Sequence, residues 1–322
     1  MQTKIVKMLY NADGYVSGQE ISDTLGVSRQ AVNKAVNALR EKGFVIDSVT
    51  RRGYLLSKLP TELCEEAVSC HLNTRLIGKK IIVLDTVDST NNYLKKLASN
   101  GEESGTVAAS TEQTAGKGRL GRVWQTKKGE GLAFSVLLRP RLSPNEIGGI
   151  TPLAGLAVCR AINDFCGLDS RIKWPNDVIV GSKKLVGILT EMSTDFDTVE
   201  HIVIGIGINV SHTSFPEEIA HKATSLLLET GKKPDINRFF ATVLNYLEDE
   251  LLTNNFTLGG QAVGEYQRLC ATIGRQVSFT RGRRQISATA VSVSDSGELE
   301  VMLENGTVAT VNSGEVTVQG IY

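Results

Sequence analysis

Hydrophobic positions in the first sixty residues recur at helical spacing and then switch to alternation. Ile5, Val6, Met8 and Leu9 give a first helix one apolar face. Ser17-Gly18-Gln19-Glu20 has the form of a capping box, so a second helix is expected to open there and run through Leu25. Gly26 supplies a tight turn. Ser28 caps a third helix, whose Ala31, Val32, Ala35, Val36 and Leu39 fall on one buried face. The apolar runs 44–46 and 49–56 predict a hairpin with Arg51 and Arg52 at its tip. Three short helices and a hairpin make a winged helix-turn-helix over residues 1–60, and Pro60 marks a linker.

Beyond the linker the pattern is mixed. Strands are expected at 81–84, 107–109, 132–138 and 201–209, helices at 89–98, 152–165 and 237–252, and a hairpin at 178–180 and 185–189. Their spacing is too irregular for doubly wound repeats, so residues 61–272 read as one mixed α/β domain in an α+β protein. From 273 onward only strands are expected, with turns at Gly282, Asp295-Ser296-Gly297 and Asn305-Gly306. That pattern fits a small β-barrel over 273–322.

The chain has 322 residues and no net charge, but the charge is uneven. Residues 1–60 carry nine Lys/Arg against five Asp/Glu, so the amino-terminal module is basic on an otherwise slightly acidic protein. The third helix turns Arg29, Gln30, Asn33, Lys34 and Asn37 away from its apolar face. These residue types reach base edges and phosphates. With Ser28 at the helix start and Arg51 and Arg52 on the wing, they form a candidate DNA-binding surface; the bland alternative is a solvated face of a small bundle. Five cysteines without a Cys-x-x-Cys pair and four scattered histidines indicate neither a zinc site nor a disulfide framework. A cytoplasmic protein is expected, with no membrane partner, because the amino end lacks a signal-peptide pattern and no apolar run is long enough to span a bilayer.

Chemistry concentrates in residues 111–124. Gly116, Gly118 and Gly121 free the backbone, Lys117, Arg119 and Arg122 lie between and after them, and Trp124 follows. Such a loop can close over an anion, because N–H groups and cations all donate toward it. It matches G-x-G-x-x-G in form only: no amphipathic helix follows, as a dinucleotide site requires. A Walker A motif is absent, since no Gly-Lys is followed by Ser or Thr. Four further stretches stand out. Asp88-Ser89-Thr90-Asn91-Asn92 brings hydroxyls and an amide to a helix start. Lys173-Trp174-Pro175-Asn176-Asp177 is a proline-stiffened polar turn. Lys184 lies between apolar runs near Gly187. Gly205 and Gly207 share one face of a strand, where glycine usually marks a close approach.

Together and in this order the motifs resemble those of the biotin protein ligases, and the front module makes the chain similar to their bifunctional branch, the biotin operon repressors. The resemblance covers nearly the whole chain. It implies a class II synthetase-like catalytic domain that uses biotin and ATP, with Mg²⁺, to form biotinyl-5′-AMP. Ser89, Thr90, Asn91, Gln113, Gly116, Lys117, Gly118 and Arg119 would hold biotin, beside Gly187, Gly205 and Gly207. Lys184 would contact both the biotin carboxylate and the α-phosphate, making it and Arg119 the catalytic cations. Trp124 would stack on adenine, and Arg122, Asn176 and Asn209 would complete the nucleotide side together with Arg119 and Lys184. Many relatives carry arginine where this chain has Lys117, and a lysine cannot make the bidentate fork. The implied partners are a biotin carboxyl carrier protein, biotin operator DNA and a second copy of the chain when the adenylate is bound. No acidic cage for a metal is legible. A lipoate-type ligase and a biotin-sensing repressor without catalysis are the alternatives.

Overall fold

The computed structural model describes residues 1–322 except 196, 283 and 313–315. It divides into two compact units, Met1–Asn73 with Asp235–Thr242, and Thr74–Pro234 with Val243–Tyr322.

The first unit contains α1 (Gln2–Tyr10), α2 (Gly18–Leu25), α3 (Arg29–Glu41), the antiparallel hairpin β1 (Val45–Val49) and β2 (Gly53–Lys58), and α4 (Glu65–Ser69). The expected caps are in place. Ser17 Oγ accepts from Glu20 N at 3.0 Å, Ser28 Oγ accepts from Ala31 N at 3.2 Å, and Gly26 ends α2 at φ 64°. Ile5, Val6, Leu9, Ile21, Val32, Ala35, Val36 and Leu39 are buried together with Phe44 and Ile46, so the anticipated faces make one core. Full burial of each Val, Leu, Ile or Phe among them contributes about 1.5–3 kcal/mol. The unit continues past Pro60, because Asn237 gathers the segment after β2: its amide donates to Pro60 O at 3.0 Å and Glu62 O at 2.9 Å and accepts from Cys64 N at 2.9 Å.

The second unit is built on a seven-stranded sheet of order β3-β4-β5-β9-β8-β7-β6. Its strands are β3 (Lys80–Leu84), β4 (Thr106–Ser110), β5 (Gly131–Leu138), β6 (Ser170–Lys173), β7 (Asp177–Val180), β8 (Lys183–Asp195) and β9 (Thr198–Asn209). Only β3 and β4 run parallel. Helix α5 (Thr90–Ser99) buries Leu94 and Ala98 against Ala108, Leu137 and Val203 of the sheet. By the two-residue alternation of strands, Ser135, Gly205 and Gly207 share the face that α5 covers. Helix α6 (Ile150–Cys166), eleven of whose residues are buried, packs on β6, β7 and β8. The short α7 (Glu217–Ala220) and α8 (Leu226–Thr230) follow β9, and α9 (Ile236–Thr253) and α10 (Gly260–Leu269) precede the last strands.

Those strands, β10 (Gln276–Arg281), β11 (Arg284–Val293), β12 (Leu299–Leu303), β13 (Val308–Val311) and β14 (Val316–Val318), form an antiparallel sheet of order β13-β12-β11-β10-β14. Among the described residues no pairing joins β13 to β14, so the expectation of a barrel narrows to a five-stranded sheet. The mixed α+β class holds. Among the described residues no helix is long and apolar enough to cross a membrane.

Candidate active site

A glycine floor and a polar wall define the site. Register across the central sheet sets Ser135, Gly205 and Leu189 in one row and Ala133, Gly207 and Gly187 in the next. A Cβ on Gly205 would stand 2.1 Å from Asn91 Oδ1, and one on Gly207 would stand 2.3 Å from the Trp124 ring. Both glycines are therefore required by what lies over them, as their pairing on one face suggested.

The wall is the start of α5. Ser89 caps it, and Ser89, Thr90 and Asn91 are all buried. Gln113 Oε1 accepts from Thr90 N at 2.9 Å and from Thr90 Oγ1 at 3.2 Å. Ser135 Oγ lies 2.8 Å from Thr90 Oγ1 and 2.5 Å from Asn91 Oδ1. Asn91 Nδ2 donates to Leu189 O at 3.3 Å and Glu191 Oε2 at 2.7 Å. Burial works to raise the Glu191 carboxyl, but hydrogen bonds from Lys95 and Asn91 outweigh it and hold it below the ordinary glutamate range. Ser135 and Glu191 were not among the sequence candidates. A lone serine in the otherwise apolar, fully buried β5 was the available signal for Ser135.

The glycine-rich segment is a hairpin. Gly118 N donates to Arg122 O at 2.7 Å, Trp124 N to Gly116 O at 2.9 Å, and Arg122 N to Arg119 O at 3.2 Å. Positive φ at both Leu120 (55°) and Gly121 (76°) closes its tip, the requirement of a type I′ turn. Gly116 is buried beneath the hairpin, where a Cβ would meet Trp124 O at 2.3 Å. Arg119 Nη1 donates to Asn176 Oδ1 at 2.9 Å, and Lys117 Nζ to Asn92 Oδ1 at 2.8 Å. The hairpin is thus tied to both other polar motifs. Lys184 Nζ pairs with Asp177 Oδ1 at 2.7 Å and stands 5.5 Å from the Trp124 ring centroid. The turn carrying Asn176 and Asp177, with a cis Trp174–Pro175 peptide, is held by Trp174 N on Thr272 Oγ1 at 3.0 Å and by Trp174 Nε1 on Gly297 O at 2.9 Å.

These groups line two adjacent spaces that share Gly118, Arg119, Trp124, Asn176 and Lys184. A narrow slot of about 50 Å³ is lined by every residue expected to hold biotin except Gly116. It is narrow because the Trp124 indole lies directly on Gly187 and Gly207. A larger cleft of about 1060 Å³ is lined by all six residues expected on the nucleotide side, Arg119, Arg122, Trp124, Asn176, Lys184 and Asn209. Asn209 Nδ2 donates to Thr224 O at 2.9 Å. His212, also in this cleft, was missed by the sequence reading. Its ring stacks on Phe215 at 4.8 Å, and burial pushes its pKa down. Among the described residues no group of three or more His, Cys, Asp or Glu side chains could hold a metal ion.

In the first unit, Ser28, Arg29, Gln30, Asn33, Lys34, Asn37, Arg51 and Arg52 are all exposed. Part of this face is internally organised. Asn33 Nδ2 donates to Tyr54 Oη at 3.3 Å, Asn37 Nδ2 to Asn33 Oδ1 at 3.2 Å, and Arg40 Nη1 to Asn37 Oδ1 at 2.9 Å. Arg52 stacks over the Tyr15 ring at 4.3 Å. The two wing arginines occupy the turn between β1 and β2, as the hairpin pattern predicted.

Residues 83–209 match the biotin/lipoate A/B protein ligase family, residues 2–55 an HTH domain, and residues 272–318 the biotin protein ligase C-terminal domain. The bifunctional ligase/repressor BirA of Bacillus subtilis (strain 168) is 40% identical over 248 residues, 76% of each chain. Its namesake in Escherichia coli (strain K12) is 30% identical over 319 residues, covering 98% of this chain and 96% of that one. The biotin protein ligase of Aquifex aeolicus, solved in complex with biotin and ATP, superposes with a TM-score of 0.64 at 31% identity, over 75% of this chain and 99% of that one. With its helix-turn-helix, its ligase sheet and its carboxyl-terminal strands matched in order by these proteins, the chain belongs to the bifunctional biotin protein ligase/repressor family.

Proposed function

We propose that the protein joins biotin to ATP to make biotinyl-5′-AMP, passes the biotinyl group to a lysine of a biotin carboxyl carrier protein, and represses biotin genes with the same adenylate as corepressor. One observation carries the catalytic reading: the residues expected to touch biotin, except Gly116, line one slot, and those expected to touch the nucleotide line the cleft beside it, with Arg119, Asn176, Lys184 and Trp124 lining both. In the first step a biotin carboxylate oxygen attacks the α-phosphorus, the bond from that phosphorus to the oxygen bridging to the β-phosphate breaks, and pyrophosphate leaves. Two anions must approach, so fixed positive charge is what the site has to supply. Lys184 and Arg119 are the cations at the junction. In the second step the carrier lysine's neutral amine attacks the acyl carbon, the bond from that carbon to the phosphate oxygen breaks, AMP leaves, and the nitrogen gives up one proton to solvent. The anhydride is already activated, so alignment of the amine suffices.

Trp124 takes part in both spaces. Admission of a bicyclic ring onto Gly187 and Gly207 requires the indole to leave the floor, and the cleft beside it is where it would stack on adenine. Mg²⁺ would travel on the ATP phosphates, since no protein cage for it lies among the described residues. The reading takes residues 1–60, 61–272 and 273–322 as DNA-binding, catalytic and carboxyl-terminal domains. The central one is of class II synthetase-like type and the last a curled sheet of the small-barrel kind, in a cytoplasmic protein.

Biotin-dependent exchange of pyrophosphate into ATP tests the chemistry. Exchange with lipoate instead would make it a lipoate-type ligase, and exchange with neither would leave a biotin-sensing repressor.

For repression, one module offers few base contacts, and a dimer reading two half-sites is needed for tight binding. Biotinyl-5′-AMP is therefore expected to promote self-association and tighten operator binding, by linkage between ligand and assembly. Affinity should also fall steeply with salt, since Arg29, Lys34, Arg51 and Arg52 would meet phosphates. Sedimentation and operator titration at fixed salt check this; an oligomeric state and affinity indifferent to the adenylate would sink the corepressor role.

A further inference from the structure

Tyr322 lines the same cleft as Lys173, Asn176, Asp177 and Lys184, although it follows the carboxyl-terminal sheet. Its placement is anchored. Gln319 N donates to Gln276 O at 2.9 Å, Arg275 Nη1 donates to Gln319 O at 3.1 Å, and Ile321 is buried and bridged to Val318. From there the Tyr322 hydroxyl donates to Asp177 Oδ2. The other oxygen, Asp177 Oδ1, accepts from Lys184 Nζ at 2.7 Å and from Asn176 Nδ2 at 3.2 Å. The ring face of Tyr322 carries a second cation, with Lys173 Nζ 3.4 Å from its centroid.

We propose that Tyr322 is a positioning residue for adenylation, acting on Lys184 through Asp177 with its hydroxyl and on Lys173 with its ring. The inference rests on the ligase reading and adds to it a residue outside the central sheet. The physical argument is one of preorganisation. A carboxylate turns easily about its last torsion, which is broad and roughly two-fold. A lysine ammonium on a flexible stem follows whatever acceptor it is paired with. A donor on each oxygen stops that rotation and holds Lys184 Nζ at one place before charge develops on the phosphate. The ring does the same for Lys173 by cation–π attraction, so two positive charges face one cleft from fixed positions.

The hydroxyl and the ring separate experimentally in the full chain. Tyr322→Phe keeps the ring; it is expected to slow single-turnover adenylation roughly tenfold, the scale of one hydrogen bond to a charged group, with the KM for ATP unchanged. Tyr322→Leu removes both; it should match that rate loss and also raise the KM for ATP about five- to thirty-fold, the scale of a cation–π contact made by a buried lysine. A Tyr322→Phe enzyme at the unaltered rate would overturn the inference. So would a Tyr322→Phe enzyme whose thermal unfolding midpoint falls along with its rate, since that marks general damage to the fold. Absence of biotin-dependent exchange in the unaltered chain would instead overturn the ligase reading, and this inference with it.

Discussion

Lys184→Ala is expected to slow biotin adenylation by roughly 10²- to 10³-fold, about 3–4 kcal/mol, the scale for loss of one preorganised charge-stabilising donor. Lys184 is one of the two cations that line both slot and cleft, 2.7 Å from Asp177. Its backbone is independently held, with its N–H on Lys222 O at 2.8 Å and its carbonyl accepting from Thr224 N at 2.9 Å. The fold should therefore survive loss of the side chain. Its side chain is about a third exposed, so no large stability term goes with it. Single-turnover formation of biotinyl-5′-AMP measures the effect, and a near-normal rate in Lys184→Ala would remove this residue from the mechanism.

Gly205→Ala should weaken biotin binding by roughly 10- to 100-fold, corresponding to about 1–3 kcal/mol for a buried polar network left unsatisfied. The added carbon would lie 2.1 Å from Asn91 Oδ1, 2.8 Å from its Cγ and 2.9 Å from its Nδ2. No rotation of one atom relieves that overlap, so Asn91 must abandon Ser135, Leu189 and Glu191. Gly155→Ala is the matched control. It is also buried, in α6, but its added carbon would meet nothing nearer than Ile172 Cγ2 at 3.8 Å, an ordinary contact. Gaining helix propensity there should leave biotin binding alone and stabilise slightly. Calorimetric titration of biotin into the two variants distinguishes them; equal affinities would show that the glycine floor is not set by Asn91.

The first unit was largely legible from its sequence, because its signals are local. Ser17, Gly26 and Ser28 act within four residues of themselves, and the apolar faces of α1 and α3 follow from a 3.6-residue period. The candidate site was legible to a different degree. Gly205 and Gly207 announced a close approach, yet what approaches them, Asn91 and Trp124, comes from segments over 80 residues away in sequence. Residues 111–124 display their cations and glycines in the sequence, but their form as a hairpin closed by Leu120 and Gly121 arises from pairings across the loop. Small elements such as α4, α7 and α8, of four or five residues each, lie below the length at which periodicity speaks.

By itself the sequence determined the order of modules, the helix caps and the basic face of α3, and it singled out the polar motifs that the fold brings together, since each depends on residue type and short-range spacing. Tertiary structure alone decided the partners. Ser135 reaches Thr90 and Asn91 only because β5 lies beneath the start of α5. Arg119 meets Asn176 and Lys184 meets Asp177 only because the hairpin, the 173–177 turn and β8 converge at one end of the sheet. Tyr322 reaches Asp177 across 145 positions of sequence. Such contacts are selected by packing of distant segments into one dense interior, where a side chain's neighbours are set by strand order and register and not by its own spacing along the chain.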